Sequence, residues 1–458
     1  MNFVEELRWR GMLHDIMPGT EELLNKGMVS GYIGFDPTAD SLHVGSLAQI
    51  MTMIHFQRAG HKPFALVGGA TGMVGDPSGK SQERNLLSEE ILQHNLQGIK
   101  TQLEKFLDFD CGTNSAQMVN NYDWFKEFIF LDFIRDVGKH ITVNYMMAKD
   151  SVKSRINSET GMSFTEFTYQ LVQGYDFYYL WKNYNCALQM GGSDQWGNIV
   201  TGTELIRRKD GGEAYAITTQ LIKKADGSKF GKTEGGNIWL DANKTKEFDF
   251  YNFWFNTSDE DAKTYIKIFT LFDQQTILEL ESRHFAAPHL RILQKELAED
   301  ITKRVHGLEA LRLIAITKKF TFDSDYHWKD LFSLTEKQFL KVFGSTNIFF
   351  TTKYQSSIFI NEDILSFLSE IMNYDDNSRF KHMFESKTEV KKLIINGGVY
   401  INKIKITLDT KITDFEFYLN KYLFVQKGKK NSALVVLCSD VTFEMKRIQS
   451  LLKDVSTW

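Results

Sequence analysis

Val29–Phe35 is a short apolar run that breaks into a polar loop, DPTADSLH, and then into a helix-periodic run from about Val44 to Ala59. Phe64–Val67 is a second such run and passes straight into a glycine-rich turn, GGATGMVGDPSGK. Ala187–Met190 and Tyr215–Ile222 read as two more strands. Strands this short, alternating with glycine turns and amphipathic helices, bury both faces only as a parallel sheet covered by helices. The first ~240 residues are therefore read as α/β, with ligands expected at the carboxyl edge of the sheet. In the helix from Val44, residues Leu47, Ile50, Met51, Ile54 and Phe56 make the apolar side, Gly60 is placed to end it, and Pro63 lies beyond.

Near residue 245 the pattern changes. Residues 246 to about 318 have few glycines and read as largely helical, with Phe248–Phe255 and Ile266–Leu271 as apolar faces. The stretch to about 361 is rich in Phe, Ser, Thr and Lys and gives no clear element. The last ~80 residues mix a short helix, Val390–Ile395, with strands Val399–Ile401 and Ala433–Leu437, the mark of a small α+β domain. A chain of 458 residues is long enough for two to four such domains.

Composition excludes several classes. The cysteines Cys111, Cys186 and Cys438 are far apart in sequence, so neither a zinc site nor a disulfide framework is expected, as in a reducing compartment. No apolar run approaches the ~18 residues of a membrane span. The run MNFVEELRWRGML has early acids and no apolar core, so neither a secretory signal nor a transit peptide is expected. The net charge is −4, yet residues 387–458 carry 13 Lys and Arg against 7 Asp and Glu. A basic tail on an acidic body points to an acidic partner or, more plainly, to a lysine-rich solvated face.

Five constellations can carry chemistry. In YIGFDPTADSLHVGSL, His43, Gly45 and Ser46 stand at the mouth of a helix whose unpaired N–H groups favour anions, and Thr38 and His43 can donate to phosphate. The plain alternative is a capped helix with a satisfied histidine. The turn at 68–81 is not a Walker A loop, because Val74 stands where that pattern needs glycine. Asp76 can still hold an ammonium group there, and Lys80 and Arg84 can reach phosphates; a structural turn is the alternative. Tyr169, Gln173 and Asp176 fall on one helix face and offer donors and acceptors to a small polar ligand with an aromatic body, or else make a solvated face. GGSDQWGN puts Asp194 within range of a ribose diol and Gln195 near a carboxylate or α-phosphate, although turns favour these residues anyway. In ADGSKFGKT, Lys229 and Lys232 can close on a leaving pyrophosphate or can be an ordinary exposed lysine loop.

Together, in this order and spacing, these strings and VNYMMAK closely resemble bacterial-type tyrosyl-tRNA synthetases, over essentially the whole chain and more weakly after about residue 320. The resemblance implies a class I enzyme: a Rossmann-like parallel-sheet catalytic domain at 1–245, a helical anticodon-binding domain at 246–320, a linker region at 321–385 and an S4-like RNA-binding domain at 386–458. It implies a dimer-interface insertion near 121–160 and a homodimer. His43-Val44-Gly45-Ser46 matches the HIGH motif, and the KFGKT loop at 229–233 matches KMSKS. Tyr32 and Asp176 would hold the hydroxyl of substrate tyrosine; Asp76, Tyr169 and Gln173 its ammonium; Gln195 would lie near its carboxylate. Gly34, Asp36, His43, Gly45, Gly192, Asp194 and Lys232 would contact ATP. Thr38, His43, Ser46, Lys80, Arg84, Lys229, Lys232 and Thr233 would stabilise the phosphates and the transition state. Mg²⁺ would accompany ATP without a dedicated protein metal site. Lys149, Lys153 and Arg155 would face the tRNA acceptor stem. The expected partners are L-tyrosine and tRNA(Tyr), the location cytoplasmic, with no membrane. Two departures stand out: Ser46 replaces the second histidine of HIGH, and Ile33 replaces a polar or thiol side chain near the ribose. A tryptophanyl-tRNA synthetase, a paralogue repurposed for RNA binding and an adenylate-forming ligase that ignores tRNA remain as alternatives.

Overall fold

The computed structural model describes residues 2–78, 87–157, 161–228, 230–233, 236–344, 349–354, 363–374, 380–428, 431–438, 444, 446–448 and 450–451. The chain forms two compact units. The first comprises residues 1–244 and 253–305, the second residues 245–252 and 306–458.

The first unit is built on a six-stranded sheet: β1 (Leu13–Ile16), β2 (Ser30–Phe35), β3 (Lys62–Val67), β4 (Gln117–Asn120), β5 (Cys186–Gly192) and β6 (Tyr215–Thr219). The spatial order is β1-β6-β5-β2-β3-β4, parallel except for β1, which runs antiparallel to β6. β2 and β5 are neighbours although far apart in sequence, and connections leave them in opposite directions. The carboxyl ends of this pair therefore open a crevice, where ligands bind in such sheets. Tyr215–Thr219 stops three residues short of the expected strand end.

Two helices bring side chains to that crevice. Val44–Arg58 starts on His43, whose Nδ1 accepts from Gly45 N. It ends beside Gly60, at φ 90°, a conformation that suits glycine. Its burial exceeds the expected single stripe: Thr52, Met53, His55 and Gln57 are buried along with Leu47, Ile50, Met51 and Phe56. Phe164–Tyr184 starts with a capping box between Ser163 and Glu166 and ends on Asn185 in the left-handed region.

The 246–318 region is helical, as expected: Glu247–Phe255, Asp259–Phe269, Gln274–Ala286 and Ile292–Phe322, the last with non-helical backbone at Gly307. It does not form a unit of its own, because residues 253–305 pack with the first unit. The second unit carries a five-stranded sheet from β7 (Phe349–Tyr354), β8 (Val399–Ile401), β9 (Ile404–Lys405), β10 (Tyr422–Lys427) and β11 (Asn431–Cys438), in the order β9-β8-β10-β11-β7. The stretch expected to be a linker, 321–385, instead supplies core. Trp328, Phe339 and Phe343 pack with Tyr418, Tyr422 and Phe424, and Phe367, Leu368 and Phe384 pack with Val399 and Leu423. Burying that many aromatics removes enough apolar surface to order the segment. No helix among the described residues is long and apolar enough to cross a membrane.

Candidate active site

A cavity of about 420 Å³ opens at the carboxyl ends of β2 and β5. It gathers the separate constellations in one place. Tyr32, Gly34, Asp36 and Thr38 come from β2 and its loop; His43, Gly45 and Ser46 from the helix mouth; Asp76 from the glycine turn. Tyr169, Gln173 and Asp176 come from one face of Phe164–Tyr184, and Gly192, Asp194 and Gln195 from the end of β5. Ile33 also lines it. Lys80, Arg84 and Lys229 lie outside the described residues, as do the side chains of Lys232 and Thr233.

The floor of the cavity is a buried polar network. Asp176 is 1% exposed. Its Oδ2 accepts from Asn121 Nδ2 at 3.0 Å and its Oδ1 from Trp124 Nε1 at 2.9 Å. Burial pushes its carboxyl up to about 8, against the pull of these two donors. Tyr32 Oη is buried and has no hydrogen-bond partner among the described residues, and burial beside Asp176 raises the phenol well above its ordinary value. Asn121 also donates to Thr71 Oγ1 (3.0 Å), which donates to Asp36 Oδ1 (2.7 Å). Tyr169 Oη donates to Asp36 Oδ2 at 2.8 Å, and burial, with Asp36 next, raises its phenol too.

A second chain crosses the wall. Gln195 Nε2 donates to Asp76 Oδ2 at 2.8 Å, and Asp76 Oδ1 accepts from Ser78 N at 2.9 Å. Asn198 Nδ2 lies within hydrogen-bonding distance of Gln173 Oε1 (3.0 Å), Ser78 Oγ (3.2 Å) and Gln195 Oε1 (3.3 Å). The arrangement offers a hydroxyl-recognising floor, a carboxylate for an ammonium group, and a helix N-terminus for anions. Among the described residues no cluster of His, Cys, Asp and Glu has the makings of a metal cage.

Asn121, Trp124, Thr71 and Asn198 were not found by sequence reasoning. Asn198 stands inside the GGSDQWGN string and Thr71 inside the glycine-rich turn; nothing local marks Asn121 or Trp124, which meet Asp176 across more than fifty residues. One expectation is corrected. Arg155 does not face outward to RNA: its side chain is 3% exposed and pairs with Glu166 (2.8 Å), whose side chain is 2% exposed. Lys153 makes only an exposed pair with Asp150 at 3.9 Å, and Lys149 Nζ sits 3.9 Å over the Tyr145 ring, where burial lowers it to about 8.

A crevice at the switch between two halves of a parallel sheet, with a helix N-terminus at its mouth and a buried polar floor, places the protein among the α/β folds that bind ligands at the carboxyl edge of the sheet. Comparison with known proteins narrows this. Residues 24–321 match the family described as tRNA synthetases class I (W and Y). Tyrosine–tRNA ligase of Cytophaga hutchinsonii is 56% identical over 434 residues, covering 95% of this chain and 99% of that protein. Its counterpart in Bacteroides fragilis YCH46 is 56% identical over 440 residues, covering 95% and 100%. The crystal structure of a C-terminally truncated Aspergillus nidulans mitochondrial tyrosyl-tRNA synthetase superposes with a TM-score of 0.63 at 29% identity, over 70% of this chain and 94% of that one. The chain belongs to the class I tRNA synthetase family. It is accordingly an enzyme, an aminoacyl-tRNA ligase.

Proposed function

We propose that the cavity activates L-tyrosine with ATP and that the enzyme then transfers the tyrosyl group to the 3′ end of tRNA(Tyr). The observation that carries the choice of amino acid is Tyr32 Oη, buried without a partner beside the carboxyl of Asp176. A phenolic hydroxyl satisfies both groups. Phenylalanine would leave both unpaired, which is how a site built for a hydroxyl rejects the analogue without one. Asp76, Tyr169 and Gln173 take the ammonium end, and Gln195 lies near the carboxylate.

That carboxylate attacks the α-phosphate of ATP and pyrophosphate leaves. The nucleophile is already an anion, so no general base is needed. The site's contribution is positioning and stabilisation of developing charge. Gly34, Asp36, Gly45, Gly192 and Asp194 contact the nucleotide, while Thr38, His43 and Ser46 serve the phosphates with Lys80, Arg84, Lys229, Lys232 and Thr233. Mg²⁺ enters as part of the ATP substrate.

Transfer to tRNA draws on three regions. Lys149 lines a groove that shares Asp194 with the cavity, and with exposed Lys153 it suits an acceptor stem. The helices after residue 246 are read as the anticodon reader, and the basic tail from 386 as an S4-like RNA-binding module. The protein acts as a homodimer, a reading supported by exposed apolar side chains in the insertion, Ile129, Phe130, Leu131 and Val143, and by exposed Phe164 at the start of the next helix. A cytoplasmic location agrees with free Cys111 and Cys186.

Amino-acid-dependent ATP–pyrophosphate exchange tests the reading. Exchange with tyrosine, and not with phenylalanine or tryptophan, is expected. Exchange with tryptophan, or with none of them in folded protein, would overturn it.

A further inference from the structure

The described part of the KFGKT loop is held from two sides at adjacent residues. The Phe230 ring stacks on Phe269 (5.3 Å between centroids, 16° between planes) and meets Tyr265 edge-on at 5.0 Å. Phe253 and Trp254 complete the seat, each at 5.8 Å. Gly231, the next residue, abuts the start of Val44–Arg58. A Cβ there would lie 2.8 Å from Val44 Cγ2 and 3.5 Å from Gly45 N, at the very mouth of the helix expected to hold phosphate. The contact is fixed by backbone bonds: Ile238 N donates to Gly231 O (3.1 Å), and Val44 N donates to Ile238 O (2.9 Å).

The seat itself is anchored. Upstream in the same loop, Ala225 N donates to Asp261 Oδ1 at 2.9 Å, so the helix Asp259–Phe269 holds the loop near both of its ends. At the far end of that helix, Arg10, 2% exposed, donates to the carbonyls of Lys267 (2.6 Å), Thr270 (3.0 Å) and Phe272 (2.7 Å). A buried guanidinium satisfied by three carbonyls is a strong and directional clamp.

We infer that Phe230 is a positioning residue for the adenylation step: its ring, seated on Phe269 and Tyr265, sets where the backbone at Gly231 meets the N-terminus of Val44–Arg58. This rests on the proposed function of the cavity. The reason is geometric. Charge stabilisation in the transition state depends on placement to within an ångström or so. A phenyl ring packed against four other aromatic side chains leaves the backbone beside it little room to shift. Phe230 touches no substrate in this account; tyrosine binding does not depend on it.

The test is active-site titration of the full-length enzyme by the burst of tyrosyl-adenylate formation. For Phe230→Ala the burst amplitude should stay full, tyrosine affinity should be unchanged, and the burst rate should fall on the order of tenfold to a hundredfold. Phe230→Met, which refills the seat, should restore most of the rate. Phe269→Ala, which empties the seat without altering the loop, should reproduce the slow burst, and the double variant should be no slower than either single one. An unchanged rate in Phe230→Ala, a matching loss of tyrosine affinity, or additive losses in the double variant would overturn the inference. If Phe230→Ala fails to fold and gives no burst, Phe230→Leu and Phe269→Leu carry the same comparison. Absence of a tyrosine-dependent burst in the unmutated enzyme would instead strike the reading of the cavity.

Discussion

The indole of Trp124 donates to Asp176 Oδ1 at 2.9 Å, across 52 residues of sequence, and so holds one oxygen of the carboxyl at the cavity floor. Asn121 holds the other. These two donors leave Asp176 oriented rather than free to rotate, with Tyr32 beside it.

Asp176 gives a pH dependence of stability with a definite sign. Burial raises its folded-state pKa to about 8, whereas an unfolded aspartate titrates near 4. Between these values the empty enzyme binds a proton that the unfolded chain does not. This contribution is therefore full below about pH 4 and is lost as the pH rises through 8, with a slope of up to about 1.4 kcal/mol per pH unit. Asp176→Asn removes the titration. Thermal melts of ligand-free protein between pH 5 and 8 should fall less steeply for the variant than for the parent. Parallel curves would mean that the carboxyl is ionised throughout.

Tyr32→Phe separates stability from selectivity. The hydroxyl it removes is buried and makes no hydrogen bond, and such a group costs about 1–3 kcal/mol in the empty pocket. The variant should melt at the same temperature as the parent or above it. Its preference for tyrosine over phenylalanine in exchange kinetics should drop, on the order of tenfold for each 1.4 kcal/mol lost. A destabilised variant with intact selectivity would show that Tyr32 is a packing residue alone.

The legible part of the fold was its periodic part. β2, β3, β5 and the helix from Val44 lie within a few residues of where apolar runs and glycine turns put them. The site's main-chain motifs were legible for the same reason: each sits where a strand ends. What could not be read depends on distant contacts. Nothing near Asn121 or Trp124 says that they meet Asp176. Arg155 reads as a surface cation because its partner, Glu166, is eleven residues away in sequence. The 321–385 stretch has no period of its own; Trp328, Phe339 and Phe343 become core only when β10 arrives to cover them.

The Arg155–Glu166 pair should be worth far more to break than to replace. Both side chains are almost wholly buried. Arg155→Ala leaves a carboxylate uncompensated in the interior and should destabilise the protein by about 3–5 kcal/mol. Replacing both partners, as Arg155→Met with Glu166→Leu, should recover most of that loss, less the part that comes from Glu166 closing the capping box with Ser163. Denaturant melts of the two variants decide it. A mild effect of Arg155→Ala would place Arg155 back among residues available to RNA.

The apolar insertion yields the last expectation. Phe130 is 62% exposed and Phe164 68% exposed, and both line a large apolar hollow with Phe128, Phe133 and Leu171. Monomeric proteins seldom leave such side chains together in water, so a second copy of the chain is the natural cover. A carboxylate introduced there must be desolvated on association. Phe130→Asp and Phe164→Asp should therefore shift the enzyme from dimer to monomer in sedimentation equilibrium at micromolar concentration. Their melting should change little, because neither side chain is in the core of its own subunit. Transfer to tRNA should fall more than tyrosine activation if one tRNA spans both subunits, and the two rates can be compared on the same preparation. Variants that remain dimeric would show that the hollow serves another partner.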